Sequence, residues 1–188
     1  MDDSDNALSA DNQQERPIER FAKISADMAW YIVGFTDGEG SFNVSFRKRS
    51  YGIGWKVGLS FNISQKDGNI LRMLQETLEC GTIRFRKDGV GYFEVCNFTD
   101  LRDIIIPFFK TYSLKTKKRK DFEVFSIIAD MVFSKTHLTK AGLQRLLEAR
   151  ESMNAGGKRK FTSGEILNSF RLESSETTRR TQARLEMI

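Results

Sequence analysis

The stretch WYIVGFTDGEGSF, from Trp30 to Phe42, decides how the rest of this chain is organised. Met28 to Phe35 is apolar on every side, so a helix here is predicted to be buried all round, unlike an ordinary surface helix. Gly34 lies inside this helix, where glycine costs about 1 kcal/mol relative to alanine. Such a glycine predicts that a second helix approaches too closely for a side chain.

Two acidic residues follow at the end of the same helix. Gly38 and Gly40 tolerate backbone conformations that other residues do not, so the helix is predicted to end there. Asp37 and Glu39 then lie beside unpaired carbonyl groups, where the helix dipole favours a cation. An arbitrary DGEG sequence is more typical of a glycine stop with two solvated carboxylates, so the wider context has to decide.

Alternation of apolar and polar residues predicts two strands after this turn. Phe42, Val44 and Phe46 alternate with polar residues, and the same period of two continues from Trp55 to Ser64. The segment from Arg49 to Gly54 contains two glycines and is predicted to form the hairpin loop that joins these two strands.

The remaining pattern predicts a second hairpin and several helices. The predicted elements are a helix over Asn69–Leu78, strands over Thr82–Lys87 and Tyr92–Phe98, a short helix from Leu101 that Pro107 ends, and helices over Leu114–Met131, Thr139–Met153 and Ser163–Leu172. The strand Tyr92–Phe98 carries aromatic residues at both parities, so its orientation stays open. Two hairpins separated by a helix indicate an α+β domain with one antiparallel sheet, helices on one face and a polar, basic opposite face.

Composition points to a polyanionic partner. The net charge is +5, and the first twenty residues contribute −4 through six acidic and two basic side chains, which leaves +9 for the rest. Residues 1–24 are predicted to be a loosely held acidic arm, 25–172 the folded domain and 173–188 a tail. No apolar run approaches a membrane span, and two cysteines without metal-ligand spacing suggest free thiols. With neither signal nor transit peptide, the protein is expected to act in the compartment of its synthesis, a prokaryotic cytoplasm or an organelle matrix or stroma.

Tyr31 to Ser41, YIVGFTDGEGS, resembles position by position the motif of the LAGLIDADG homing endonucleases. The resemblance continues more loosely through FNISQK at Phe61–Lys66, LK at Leu114 and Lys115, and LTKAGL at Leu138–Leu143. It implies an αββαββα core, an antiparallel sheet that forms a DNA-binding saddle, and additional C-terminal helices. It also implies a site-specific enzyme that makes metal-dependent double-strand breaks in a long, near-palindromic DNA target and is encoded in an intron or intein.

The resemblance implies three catalytic positions. Glu39 corresponds to the metal ligand, with the backbone carbonyl of Gly38 as a second ligand. The polar residue matching Gln65 orders active-site water, and the lysine matching Lys115 lies beside the scissile phosphate. Lys115 also opens a basic run, so one phosphate-tracking charge among many is an equally open interpretation. Many relatives carry a further basic residue after the glutamine; Lys66 has the wrong strand parity for that role, which leaves the second basic group unidentified.

The expected cofactor is Mg²⁺, with Mn²⁺ as an alternative, because one carboxylate and several waters suit a hard cation. Ca²⁺ is expected to support DNA binding without efficient cleavage. His137 is the only histidine, so neither a histidine-metal nuclease site nor a zinc site can be built.

The expected partners are double-stranded DNA and a second copy of the chain. Only one motif is present, and a helix carrying Gly34 needs a partner, so an isologous homodimer is predicted with Val33, Gly34 and Asp37 in its interface. A two-stranded ribbon fits the major groove, and Arg, Lys, Asn and Ser suit base edges and phosphates, although a solvated surface is the commoner fate of such a face. The candidate DNA-binding residues are Asn43, Ser45, Arg47, Lys56, Ser60, Asn62, Arg84, Arg86, Lys117, Lys158 and Arg159.

Two other functions remain open for the same fold. One is an intron maturase that binds host intron RNA, and the other is a catalytically inactive DNA-binding regulator. Glu39 together with Gln65 favours a nuclease over the regulator and says nothing against the maturase.

Overall fold

A computed structural model describes residues 21–157 and 159–171, which form helices and one four-stranded sheet. Most of the predicted arm, the predicted tail and Lys158 lie outside the described residues. The elements are α1 (Ala26–Glu39), β1 (Gly40–Lys48), β2 (Trp55–Gln65), α2 (Gly68–Leu78), β3 (Thr82–Phe85), β4 (Gly91–Val95), α3 (Phe98–Asp100), a π-helical turn (Leu101–Ile105), α4 (Ile106–Thr111), α5 (Lys118–Phe133), α6 (Lys140–Glu151) and α7 (Ser163–Asn168), with 3-10 turns at Thr136–Leu138 and Asn154–Gly156. The strand order is β1-β2-β4-β3, and the predicted α+β class is confirmed.

The chain divides into two compact units. Among the described residues, the first unit contains residues 21–42 and 60–122, and the second contains 43–59 and 123–171 without 158. Strands β1 and β2 each have residues in both units. No helix in the described part of the chain has the length and apolar character needed to cross a bilayer.

Aromatic rings form the centre of the first unit. Phe42 is 1% exposed, and its ring centroid lies 5.1 Å from that of Phe61, 5.6 Å from Phe109 and 5.3 Å from Phe122. Clusters of this kind combine a large buried apolar area with favourable ring geometry. Phe21, which was predicted to belong to the arm of residues 1–24, is also buried, with its ring 5.5 Å from that of Phe108.

Helix α1 has one buried and one exposed face, so the prediction that it is buried all round is wrong for the single chain. Its buried residues are Ala29, Ile32, Val33 and Thr36. Tyr31, Gly34, Gly38 and Glu39 are exposed on the remaining surface. Ala29, Ile32, Val33 and Thr36 recur at helical spacing, which is what one inward stripe requires.

Helix α1 ends at Gly40, where the chain lies too close to Thr36 for a side chain. The N–H of Gly40 donates to the carbonyl of Thr36, and a Cβ at this position would lie 2.5 Å from the Thr36 Cγ2 atom and 2.8 Å from its carbonyl oxygen. Only glycine fits there, so the chain passes directly from helix into β1 and Glu39 stays at the junction.

The strands alternate as predicted, and the structure resolves the orientation of β4. In β2 the residues from Trp55 to Ile63 that share one parity are buried. In β4, Phe93 and Val95 are buried while Tyr92 and Glu94 lie half-buried on the opposite parity. The pattern was ambiguous because Tyr92 is aromatic yet belongs to the polar face.

Several predicted helix boundaries are wrong, and two of them have a clear physical reason. Pro107 lies inside a continuous helical segment rather than ending it, because the π-helical turn Leu101–Ile105 precedes it and it occupies the first turn of α4, where a missing N–H is tolerated. Helix α5 begins at Lys118 rather than Leu114. The intervening residues, including Lys115 and Thr116, form hydrogen bonds elsewhere, as described below.

The second unit is built around Trp55. Its ring packs edge-on against Phe161 at 5.0 Å, and its indole Nε1 donates to the hydroxyl of Ser169 at 3.0 Å. The predicted start of α7 is confirmed as a capping box between Thr162 and Glu165. The hydrogen bonds from Thr162 lower the pKa of the Glu165 carboxyl, so this cap stays ionised at neutral pH.

Candidate active site and nucleic-acid interface

The junction between α1 and β1 presents oxygen atoms to solvent. Gly38 and Glu39 are both exposed there, with the Glu39 carboxylate at the C-terminal end of the helix. The last carbonyls of a helix lack intrahelical partners and carry partial negative charge. The predicted placement of Asp37 and Glu39 at a helix C-terminus is confirmed.

The Asp37 carboxylate fastens this junction to the segment before α5. One oxygen accepts from the backbone N–H of Lys115 at 2.8 Å. The other accepts from the backbone N–H of Thr116 at 3.2 Å and from its hydroxyl at 2.8 Å. The hydroxyl of Thr116 also accepts from the backbone N–H of Lys118 at 3.3 Å. These bonds hold Lys115 and Thr116 in the non-helical segment before α5, which starts later than predicted.

Lys118, which the sequence did not single out, reaches the junction. Its ammonium group donates to the carbonyl of Gly38 at 3.3 Å and to that of Gly40 at 2.5 Å. The structure therefore brings a cation to the two glycines that flank Glu39. The signal was hidden in the run Lys115, Lys117, Lys118, Arg119, Lys120, whose members look alike until the start of α5 is known.

The ammonium group of Lys115 lies elsewhere. It sits 4.9 Å from the centre of the Trp30 ring, a cation–π arrangement, and the side chain is exposed. The part of Lys115 that contacts the junction is its backbone N–H.

Gln65 ends β2, opposite Gly91 of β4. The side chain is half-buried, and its Oε1 accepts from the backbone N–H of Lys66 at 2.7 Å. This local bond directs the amide oxygen toward the backbone of the next residue.

The oxygen atoms at the junction can fill part of the coordination shell of a hard divalent cation. The carboxylate of Glu39 and the carbonyl of Gly38 are oxygen ligands of the kind that Mg²⁺ and Ca²⁺ prefer. Within the described residues, no group of three or more His, Cys, Asp or Glu side chains could hold a metal ion. One chain therefore supplies an incomplete set, which suits an ion that keeps several waters and also binds phosphate oxygens.

In the first unit, the polar face of the sheet carries paired charges. Asn62 of β2 lies opposite Glu94 of β4, which lies opposite Thr82 of β3. Arg84 forms a salt bridge with Glu94. Arg84 was a predicted DNA-binding residue, whereas Glu94 was missed because the orientation of β4 was unknown.

Arg86 follows β3 and is held at two points. Its guanidinium donates to the hydroxyl of Tyr92 at 2.8 Å and pairs with Asp88 at 2.6 Å. The bond to Tyr92 and the charge of Asp88 raise the pKa of Arg86, so it remains a cation. Ser60 and Asn62 are half-buried on the same face, and Lys117 before α5 is exposed.

In the second unit, most candidate DNA-binding residues are accessible. Ser45, Arg47 and Lys56 are exposed, and Asn43 is half-buried. Arg159 differs, because its side chain is 16% exposed and donates to Glu151 at 3.2 Å and to the carbonyl of Arg150 at 2.5 Å. Its guanidinium is thus engaged within the fold.

His137 is half-buried, with Nδ1 3.2 Å from the carbonyl of Met131. Burial lowers its pKa, so the ring is neutral at pH 7.

Comparison with known proteins places these features in context. Residues 32–129 match the family described as LAGLIDADG endonuclease. Over 140 residues the chain is 36% identical to "Probable intron-encoded endonuclease 2" of Neurospora crassa, and the alignment covers 67% of this chain but only 29% of that relative. The chain thus spans less than a third of this curated relative.

Two solved structures are similar in fold. The archaeal intron-encoded homing endonuclease I-Vdi141I, complexed with DNA, gives a TM-score of 0.69 at 30% identity and covers 75% of this chain and 92% of its own. I-SmaMI, bound to an uncleaved DNA target in the presence of calcium ions, gives 0.66 at 34% identity and covers 69% of this chain and 46% of its own.

Replacing Asp37 tests whether its carboxylate fastens the segment before α5. In Asp37→Ala the backbone N–H groups of Lys115 and Thr116 lose their acceptor, so we expect the free energy of unfolding to fall by about 1.5–3 kcal/mol, the value of a hydrogen bond to a charged group. Hydrogen exchange at these two amides should accelerate. The matched control, Asp130→Ala, removes an exposed acid from α5 and should change neither. Unchanged exchange at Lys115 and Thr116 would contradict the assignment.

Proposed function

Because the chain belongs to the LAGLIDADG endonuclease family, we propose that it is a site-specific homing endonuclease, encoded in an intron or intein, that cuts both strands of a long, near-palindromic DNA target. The proposal rests on one observation: the ammonium group of Lys118 reaches the carbonyls of Gly38 and Gly40, on either side of the exposed Glu39. An acid that can bind a metal and a base that can pair with phosphate are the parts that phosphodiester hydrolysis needs.

The cofactor in this proposal is a divalent cation, Mg²⁺ or alternatively Mn²⁺, held by the carboxylate of Glu39 and the carbonyl of Gly38. When bound, such an ion activates water and stabilises charge on the phosphate and the leaving oxygen. The C-terminal end of α1 adds partial negative charge that favours a cation at this position. Ca²⁺ would support DNA binding without efficient cleavage.

The basic role at the scissile phosphate is assigned to Lys118. Its ammonium group already lies at the Gly38 carbonyl, so a small shift of a flexible side chain brings it to a phosphate bound beside Glu39. Lys115 contributes its backbone N–H to Asp37, which holds the start of α5 in place. Gln65 is retained as the residue that orders water, which requires its amide to leave the Lys66 N–H.

A second copy of the chain would cover the exposed face of α1. Gly34 and Gly38 lie four residues apart on one side of the helix, and a Cβ on either would meet nothing within 4 Å. Tyr31 is 47% exposed and stacks on Phe35 beside them. Two such helices can pack at their glycines about a two-fold axis. This interface differs from the predicted one, because Val33 is 1% exposed in the core and Asp37 binds Lys115 and Thr116.

Double-stranded DNA is the substrate in this proposal. Side chains that read base edges need open donors and acceptors, whereas phosphate contacts need only accessible charge. Asn62 and Arg84 in the first unit are assigned to bases, while Lys117 there and Arg47 and Lys56 in the second unit are assigned to phosphates. Arg159 is left out because its side chain is only 16% exposed and its guanidinium contacts Glu151 and the carbonyl of Arg150, whereas the paired Arg84 is 69% exposed.

Glu39→Gln should separate cleavage from binding. The amide preserves the shape and removes the charge, so the fold should survive while the hold on the metal weakens. We expect cleavage to fall by several orders of magnitude because water activation depends on the ion. DNA affinity without metal should stay level or rise slightly, since an acid beside a phosphate is removed.

Cleavage of sites selected from a randomised duplex library provides the measurement, with DNA affinity determined in parallel. Glu76→Gln is the matched control, since it removes an exposed acid from α2 in the same unit. If Glu39→Gln cuts at near the original rate in Mg²⁺ while binding is intact, Glu39 is not the metal ligand.

Gly34→Leu tests the second copy. Nothing in its own chain opposes the new side chain, and leucine is a better helix former by nearly 1 kcal/mol, so the fold should remain stable. The close approach of a second α1 should be blocked, so sedimentation should show a monomer and double-strand cleavage should be lost. Gly164→Leu, in α7 with equally open space, is the control. A Gly34→Leu protein that still forms active dimers would exclude this interface.

A further inference from the structure

Glu94 is an acidic residue on the face of the sheet proposed to meet DNA. It lies between Asn62 and Thr82 across the strands, and its carboxylate pairs with Arg84. A carboxylate facing a polyanion weakens binding unless it contacts something other than phosphate. Its presence among DNA-facing residues therefore requires an explanation.

Stability of the fold does not supply that explanation. The Arg84 side chain is 69% exposed and that of Glu94 is 26% exposed, and exposed ion pairs contribute little to stability. Strands β3 and β4 are already joined by their backbone ladder, and the Thr82 hydroxyl lies 3.4 Å from the Glu94 carbonyl. The pair is thus free to serve a contact outside the chain.

The chemistry of the pair matches one edge of the DNA major groove. A guanine–cytosine pair presents two acceptors, guanine N7 and O6, followed by one donor, the N4 amino group of cytosine. Arg84 offers two donors in a fork, and Glu94 offers an acceptor beside them. The salt bridge sets donors and acceptor side by side before DNA arrives, which lowers the entropy cost of ordering them.

We propose that Arg84 and Glu94 form one reading unit for a single guanine–cytosine pair in each half of the target. Arg84 donates to guanine N7 and O6, and Glu94 accepts from the N4 amino group of cytosine. An adenine–thymine pair is rejected because its edge reads acceptor, donor, acceptor, so Arg84 would face the adenine amino group and Glu94 the thymine carbonyl. The inference rests on the proposed function and adds to it a base and the residues that specify it.

The experiment compares binding profiles over a randomised duplex library in Ca²⁺ for the wild type, Glu94→Met, Arg84→Ala and the control Glu76→Met. Methionine keeps an unbranched side chain and removes the oxygen acceptor, which glutamine would retain. The wild type should prefer guanine–cytosine at one position in each half-site. Both variants of the pair should lose roughly 10-fold to 100-fold of that preference at the same base pair, and positions elsewhere should be unchanged. Thermal unfolding should be similar for all four proteins, and Glu76→Met should reproduce the wild-type profile.

Three results with Glu94→Met would overturn the reading unit. The first is a profile identical to wild type, and the second is loss of preference at a base pair different from that affected by Arg84→Ala. The third is an equal gain of affinity for all sequences, which would make Glu94 a source of repulsion only. A wild-type protein that binds no duplex would overturn the proposed function, and this inference with it.

Discussion

The Asp37 carboxylate, which accepts three hydrogen bonds from Lys115 and Thr116, is the interaction on which the candidate site depends. It joins residues nearly eighty positions apart in the chain and satisfies the backbone donors of the segment just before α5. Because α5 begins at Lys118, the ammonium of that residue extends back to Gly38 and Gly40.

Helix α1 serves three roles through three different surfaces. Its inner stripe, with Ile32 and Val33, packs into the core of the first unit. Its outer glycines leave room for a second helix, and its C-terminal end displays Glu39. Because the chain passes directly into β1 at Gly40, Glu39 stays in the last turn of the helix, where the helix dipole favours a cation.

Local patterning predicted the elements whose structure depends on local chemistry. The period of two in β1 and β2, the stop at Gly40 and the cap at Thr162 all follow from neighbouring residues, and all are observed. Burial of α1 was overestimated because an apolar sequence does not show whether its cover belongs to the same chain. The start of α5 and the role of Lys118 depend on Asp37, a residue far away in sequence, so periodicity could not reveal them.

The orientation of β4 likewise could not be predicted from the local sequence pattern. Tyr92 and Phe93 are both aromatic, and only pairing with β2 and β3 decides that Tyr92 and Glu94 share a face with Asn62 and Arg84. The acidic member of the proposed reading unit therefore became visible only through tertiary structure. Phosphate contacts could be proposed from charge alone, whereas base contacts can be proposed only when the side chains that share the same face are known.

The role of Lys118 is tested most directly by single-turnover cleavage of a selected DNA site, with protein in excess and Mg²⁺ present, by Lys118→Met and Lys115→Met. Both changes keep an unbranched side chain and remove one charge from the same basic segment. We expect Lys118→Met to cut about 100-fold or more slowly, because a group that stabilises transition-state charge is lost, while Lys115→Met stays within about 10-fold of wild type. The reverse order, or equal small losses, would contradict the assignment of Lys118 to the active site.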